Sequence, residues 1–285
     1  IQDCNDPAVW PFKKVAVQAA AEQPDLVIHV GDYLYREDMC PQTAEAKCGG
    51  TPSGDNWETW DADFFEPAAK LLGTVPWAFA RGNHEDCKRA WRGWFYYLDP
   101  RPWTGETCEE MTAPYPAGRV EPPIVMFDSS SASEDAQDAS RVQALTKQFA
   151  SIHVMNGWLV AHHAPWGVRP DKQGRPIPVS SELQSAWNSG SPQGVDLILS
   201  GHTHLFELLT FAGQPIQLVA GIGGTQLSAP LPPHLDGMHS DRATIVTGQS
   251  NVEFGYTLIT RGSGGWNLAL DRKSTRLNSS HTDIS

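Results

Sequence analysis

The chain has 285 residues, of which 40% are hydrophobic and 11 are Trp, and it carries a formal charge of −12. That length and composition fit a globular chain of one large or two small domains. No apolar run approaches the roughly 20 residues of a membrane helix. The acidic balance, with no Lys/Arg run, excludes a general nucleic-acid or membrane-surface binder.

Asp6-Pro7 is a cap and first-turn signal, and Val9, Phe12, Ala16, Ala19 and Ala20 repeat at helical spacing, predicting a helix to about Gln23. Leu26–Val30 then reads as a buried strand leading to Gly31-Asp32, with His29 a packed core residue. Residues 36–55 read as loop. Trp57, Trp60, Phe64, Ala68 and Leu71 form a helical stripe that Pro67 is expected to kink or split. Val75–Ala80 is a second strand, delivering Arg81-Gly82-Asn83-His84-Glu85. A helix over 86–98 and a long Pro/Gly loop to Pro123 follow.

Ile124–Phe127 is a strand ending in Asp128, and 135–150 suits an amphipathic helix. Trp158–Ala161 is the next strand, ending at His162-His163-Ala164-Pro165. A Pro-rich loop over 165–180 and a short helix over 181–187 lead to Leu197-Ile198-Leu199, which ends at Ser200-Gly201-His202-Thr203-His204. After Leu205 the pattern changes to strands at 205–211, 215–220, 254–260 and 266–270, with 230–250 read as a polar insertion. Helices alternating with strands first, and strands pairing among themselves later, predict an α/β fold. Its expected form is a four-layer α/β/β/α sandwich of two mixed sheets flanked by helices.

The five cysteines are Cys4, Cys40, Cys48, Cys87 and Cys108, with no C-x-x-C among them. Scattered through Pro/Gly-rich loops, they point to disulfides and an oxidising compartment, periplasmic or secreted. Cys40–Cys48 and Cys87–Cys108 are the nearest pairs, leaving Cys4 alone. Residues 271–285 are polar and without apolar periodicity, and read as the in-frame translation of a sequencing-adapter oligonucleotide. The domain is therefore expected to be 1–270, and His281 is no ligand candidate. Ile1 is not a natural start, so the N-terminus is expected to have been processed or cut.

Four strand ends carry groups that bind metals: Asp32; Asn83 with His84; His162 and His163; His202 with His204. In α/β sheets, sites gather beyond the carboxyl ends of strands. His202 and His204, at i and i+2 on an extended segment, point the same way. With no cysteine among them, the donors favour Fe, Mn or Zn. One carboxylate can bridge two cations, and paired metals stabilise both the entering and leaving oxygens of a phosphoryl displacement.

The motifs Gly31-Asp32-Tyr33-Leu34-Tyr35, Gly82-Asn83-His84-Glu85, Val160-Ala161-His162-His163 and Gly201-His202-Thr203-His204 resemble those of the calcineurin-like metallophosphoesterases. More narrowly they are similar to the purple acid phosphatase pattern GDxxY, GNH(D/E), VxxH, GHxH. The resemblance implies a binuclear metal-dependent phosphoesterase that hydrolyses phosphomonoesters with a hydroxide shared between two metals. It implies Fe3+ in the first position and Zn2+, Mn2+ or Fe2+ in the second. Asp32 would bridge them, Tyr35 and His204 would bind the first, and Asn83, His163 and His202 the second. The VxxH spacing prefers His163 to His162. His84 would contact the phosphate and assist the leaving group, with Arg81 as a further phosphate-binding candidate. The family's upstream Asp-x-Gly has no counterpart after Ile1. Its central strand is expected upstream, and the chain as it stands is expected to turn over poorly.

Asp128 matches no motif; Arg36 and Arg169 read as surface or structural; His153, His234 and His239 read as solvated, the last two on the insertion. The expected partner is a small phosphoester. Rival readings are a phosphodiesterase or nucleotidase on the same scaffold, and a non-catalytic metal- or phosphate-binding domain.

Overall fold

A computed structural model describes residues 3–263, 265–272 and 281–284. Helix α1 (Phe12–Ala21) leads into strand β1 (Val27–His29), and α2 (Glu45–Cys48) is a single turn in the segment expected to be loop. The aromatic stripe forms α3 (Trp57–Trp60), a π-helical turn (Asp61–Phe65) and α4 (Glu66–Leu72). Asn56 caps this unit by accepting a hydrogen bond from the Thr59 N–H. Pro67 falls in the first turn of α4, directly after the π-helical turn, so the stripe is divided there without the chain leaving the helix. Strand β2 (Trp77–Phe79), α5 (Trp91–Gly93) and β3 (Tyr115–Pro116) follow.

Next come β4 (Ile124–Phe127), α6 (Ala139–Ala150), β5 (His153–Ala161), a hairpin of β6 (Val168–Pro170) and β7 (Pro176–Pro178), and α7 (Ser181–Ser189). The remainder is all β: β8 (Gln193–Ser200), β9 (Phe206–Phe211), β10 (Ile216–Ala220), β11 (His239–Ser240), β12 (Ala243–Asn251), β13 (Gly255–Arg261), β14 (Trp266–Arg272) and β15 (His281–Ile284).

One mixed sheet of eight strands runs β11-β12-β9-β10-β8-β5-β4-β3. Its centre, β4-β5-β8-β10, is parallel, and its flanks are antiparallel. The outer face packs Leu159, Ala161 and Ile198 against Leu145 and Phe149 of α6 and Leu183 and Trp187 of α7. The inner face packs Trp158, Val160, Leu197 and Leu199 against Ala78, Leu268 and Leu270 of a second β layer. That layer consists of the parallel pair β1-β2 and the antiparallel sheet β13-β14-β15. Trp60, Phe64, Ala68 and Trp94 cover it with helix. The protein is thus an α/β/β/α sandwich, as the alternation of elements predicts.

Three segments differ from expectation. The supposed polar insertion contains β12, which joins the main sheet beside β9. Ala243 and Ile245 face inward while Thr244 and Val246 face water, so half the strand reads as surface. The loop over 165–180 holds the hairpin β6-β7, with prolines on a two-stranded ribbon whose edges tolerate them. The helix expected over 86–98 begins regularly only at Trp91, after turns around Asp86 and Arg89.

A cavity of about 860 Å³ is lined by residues of β1 and β13, among them Ile28 and Ile259, by Leu199 of β8 and Leu218 of β10, and by Asp32 and His204. Two disulfides form, Cys40–Cys48 and Cys87–Cys108, and Cys4 is free. The anticipated non-native tail, 271–285, lies largely outside the described residues, as does the expected upstream strand.

Candidate metal centre

Strand ends bring the candidate side chains together. Beyond β1 the chain turns at Gly31 (φ 102°), where a Cβ would sit 2.3 Å from His162 Nδ1. Beyond β2, Gly82 passes so close that a Cβ would meet the Asp32 backbone nitrogen at 2.2 Å. Those two glycines let the Asp32 and Asn83 loops lie against each other. β5 and β8 are adjacent and parallel, so His162 and His202 emerge side by side.

Asp32 Oδ2 lies 3.3 Å from the Tyr35 hydroxyl and 3.2 Å from His162 Nε2. The Tyr35 hydroxyl in turn lies 3.3 Å from His204 Nε2. Asn83 Oδ1 is 3.0 Å from His162 Nε2 and 2.9 Å from His202 Nδ1. Each of these imidazoles is anchored through its other nitrogen. His162 Nδ1 meets the Val30 carbonyl at 2.7 Å, His204 Nδ1 the Gln226 carbonyl at 2.6 Å, and His202 Nε2 lies 3.3 Å from Glu134 Oε1. Such anchoring fixes the ring orientation and leaves one nitrogen of each facing Asp32, Asn83 or Tyr35.

His162, rather than His163, stands on the Asp32 and Asn83 oxygens. Strand parity is the reason. His162 continues the face of Trp158 and Val160, which looks onto the second β layer, whereas His163 continues that of Leu159 and Ala161. His163 stays near, its ring 4.0 Å from that of His202, and its buried Nδ1 has no partner. His162, His163 and His202 together offer nitrogens within 4.8 Å of one another.

His84 donates its backbone N–H to Asp32 Oδ1 at 3.1 Å, and its ring lies 4.2 Å from that of Tyr35. Burial works to lower the His84 pKa, but the hydrogen bond with Glu37 and the charges of Asp32 and Glu85 outweigh it, and the imidazole is raised above its usual value. Burial likewise works to raise the Asp32 carboxyl, yet the His162, His84 and His202 imidazoles hold it well below the usual range. Glu85 ties the two loops: its carboxylate accepts from the Tyr33, Leu34 and Gly82 N–H groups. Burial, with Asp32 nearby, pushes it up to about 8.

Arg81 does not reach this centre. It is 2% exposed, and its guanidinium donates to the Glu85 and Glu109 carbonyls and to Asp128 Oδ2. Its placement is structural, and it accounts for Asp128 as well. Arg36 is paired with buried Asp63. Arg169 bonds Glu134 and Asp135 beside the centre. His29 stacks on Tyr33, and burial lowers its pKa to about 3; His153, His234 and His239 are exposed. Sequence reading gave Glu85 no role of its own within the Gly82-Asn83-His84-Glu85 motif, and it missed Glu37, Arg89 and Glu134, which carry no motif spacing.

The family profile for calcineurin-like phosphoesterase matches residues 7–206. No curated protein sequence matches significantly. Among solved structures, the chain resembles purple acid phosphatase PPD1 from yellow lupin (Lupinus luteus) seeds, with 17% identity and a TM-score of 0.59 over 95% of this chain and 48% of that one. It also resembles PhoD, with 13% identity, a TM-score of 0.57 and 95% and 65% coverage. A third likeness is GAP50, the anchor in the inner membrane complex of Plasmodium, with 12% identity, a TM-score of 0.58 and 97% and 84% coverage. The chain therefore spans about half the length of the lupin phosphatase chain, and at these identities the likeness is one of fold. With the profile covering most of its length, and the four strand-end motifs converging within it, the chain belongs to the calcineurin-like phosphoesterase family.

Proposed function

We propose that this chain is a binuclear metal-dependent phosphomonoesterase in which Asp32 is the carboxylate common to both metal ions. One observation carries the reading. A single oxygen, Asp32 Oδ2, abuts two donor groups at once, the Tyr35 hydroxyl at 3.3 Å and His162 Nε2 at 3.2 Å. Tyr35 and His204 belong to the first group; Asn83, His162 and His202 belong to the second. The imidazole, phenol, carboxylate and carboxamide donors, with no thiolate, suit Fe, Mn or Zn, and the resemblance to the purple acid phosphatase motifs would put Fe3+ in the first position and Zn2+, Mn2+ or Fe2+ in the second. When bound, a metal pair supplies an activated water and offsets charge on the phosphoryl oxygens.

The protein's own part is positional. Asp32 Oδ1 accepts the His84 N–H, which fixes the imidazole relative to the shared carboxylate. His84, held beside the shared carboxylate, is the side chain placed to contact the phosphoryl group and assist the leaving oxygen. Two disulfides support an oxidising, secreted or periplasmic setting. Among the described residues no helix is long and apolar enough to cross a membrane.

The test is metal analysis combined with turnover of nitrophenyl phosphate and bis-nitrophenyl phosphate. Two metals per chain and faster monoester hydrolysis are expected. If the first metal is ferric, the protein is coloured and Tyr35→Phe bleaches it. Preference for the diester would move the protein to the phosphodiesterases. Metal binding without turnover of any phosphoester would overturn the reading.

A further inference from the structure

Beside the centre lies a group of charges that the metal assignment leaves unused. Glu37 Oε1 is 2.7 Å from His84 Nδ1 and 2.6 Å from Arg89 Nη2. The same Nη2 lies 3.0 Å and 3.2 Å from the two ring nitrogens of His84. Glu37 is thus an anion shared by the guanidinium and the imidazole. The three side chains are 26%, 14% and 29% exposed for Glu37, His84 and Arg89, so the group is largely covered yet open to solvent.

Arg89 differs from the other arginines near the centre. Arg81 is locked to two carbonyls and a buried carboxylate, and Arg36 to buried Asp63. Arg89 holds only Glu37 and His84, partners that a competing anion can replace. Its segment is firm: Arg89 N bonds the Asp86 carbonyl, Ala90 N bonds the His84 carbonyl, and Cys87 is tied to Cys108. His84 in turn is fixed to Asp32 through its backbone. The Arg89 backbone is therefore held close to the loop that carries Asn83 and His84.

We propose that Arg89 binds the substrate's phosphoryl group together with His84, and that Glu37 is the protein's own anion in that place until the phosphoryl group displaces it. The inference rests on the phosphoesterase reading of the centre and narrows it. A site built on the permanent charge of Arg89 and vacated by a carboxylate gains more from the two charges of a phosphomonoester or free phosphate than from the one charge of a diester.

The experiment uses the metal-loaded full chain and two readouts, calorimetric binding of inorganic phosphate and nitrophenyl phosphate kinetics. Arg89→Ala should weaken phosphate binding about tenfold and raise KM similarly, with a smaller change in kcat. Arg89→Lys should recover part of the loss. Glu37→Gln should act in the opposite direction, tightening phosphate and lowering KM several-fold at unchanged metal content. Opposite signs at Arg89 and Glu37 separate displacement from a structural ion pair. If Glu37→Gln weakens phosphate as Arg89→Ala does, or if Arg89→Ala leaves binding unchanged, the proposal falls. A parent protein that binds no phosphate also overturns it. A parent showing these binding shifts but hydrolysing no phosphoester would sink the phosphoesterase reading and leave the Arg89 site standing. Active parent protein with KM unmoved by Arg89→Ala would do the reverse.

Discussion

Glu134 holds His202 by the ring nitrogen that points away from the centre, with Oε1 3.3 Å from Nε2, so that Nδ1 is the nitrogen facing Asn83. Arg169 holds Glu134 from the other side at 3.1 Å. A carboxylate behind a ligating histidine sets its orientation and basicity, and its loss lowers metal affinity by roughly 10- to 100-fold. Glu134→Ala should therefore weaken the second metal by about that factor in a metal titration, while the first metal is retained. Unchanged affinity would show that His202 needs no such support.

The two adjacent histidines that follow β5, His162 and His163, should behave differently. His162→Ala removes the imidazole that touches both Asp32 and Asn83, and should cost one metal equivalent and orders of magnitude in rate. His163→Ala leaves those contacts intact and should keep both metals, with a smaller loss. Elemental analysis of the two variants decides. Metal loss only at His163 would restore the assignment that motif spacing prefers.

Arg81 should reveal itself through stability. Removing it leaves Asp128 buried and without its cation, and breaking a buried pair from one side costs about 3–5 kcal/mol. Arg81→Met should lower the urea midpoint accordingly, while KM of the folded fraction stays at the parent value. A raised KM at parental stability would place Arg81 on the substrate.

Glu207 is fully buried on β9, and burial pushes its carboxyl well above the usual value, with the Val168 N–H offsetting only part. Well below the ordinary value of 4.5 the group is protonated whether the chain is folded or not, and adds no pH dependence. Above it, the unfolded carboxyl ionises while the folded one keeps its proton, so stability falls as pH rises toward the folded pKa. Glu207→Gln removes that loss. Its advantage over the parent should grow as pH rises above 4.5, by up to about 1.4 kcal/mol per pH unit, until the folded carboxyl itself ionises. An advantage independent of pH would mean that Glu207 is ionised in the fold.

The strand ends were legible because turn glycines and metal-competent residues adjoin short apolar runs, as at Gly31-Asp32 and Gly201-His202. The disulfides were legible because each closes a local loop. What escaped reading depends on contacts between distant segments. Glu134 and His202, or Glu37 and Arg89, share no spacing, and only the stacking of two β layers brings them together. The choice between His162 and His163 turns on which face of β5 meets the second layer, a fact that the pairing of sheets supplies. β12 was obscured by its outward-facing residues, which look like those of a loop.

Asp32 and His202 both stand in the left-handed backbone region, at φ 60° and φ 63°, where a side chain meets its own carbonyl. Asp visits this region more readily than most side chains, whereas at His202 the conformation is disfavoured by about 1–2 kcal/mol and must be held by the surrounding structure. At His202 the proposed ligand and the backbone preference therefore pull in opposite directions. Asn tolerates that backbone far better than His. Stripped of metal, a His202→Asn protein should melt at a higher temperature than the parent while having lost its ability to hydrolyse. Drift under selection for stability alone would erase this centre first.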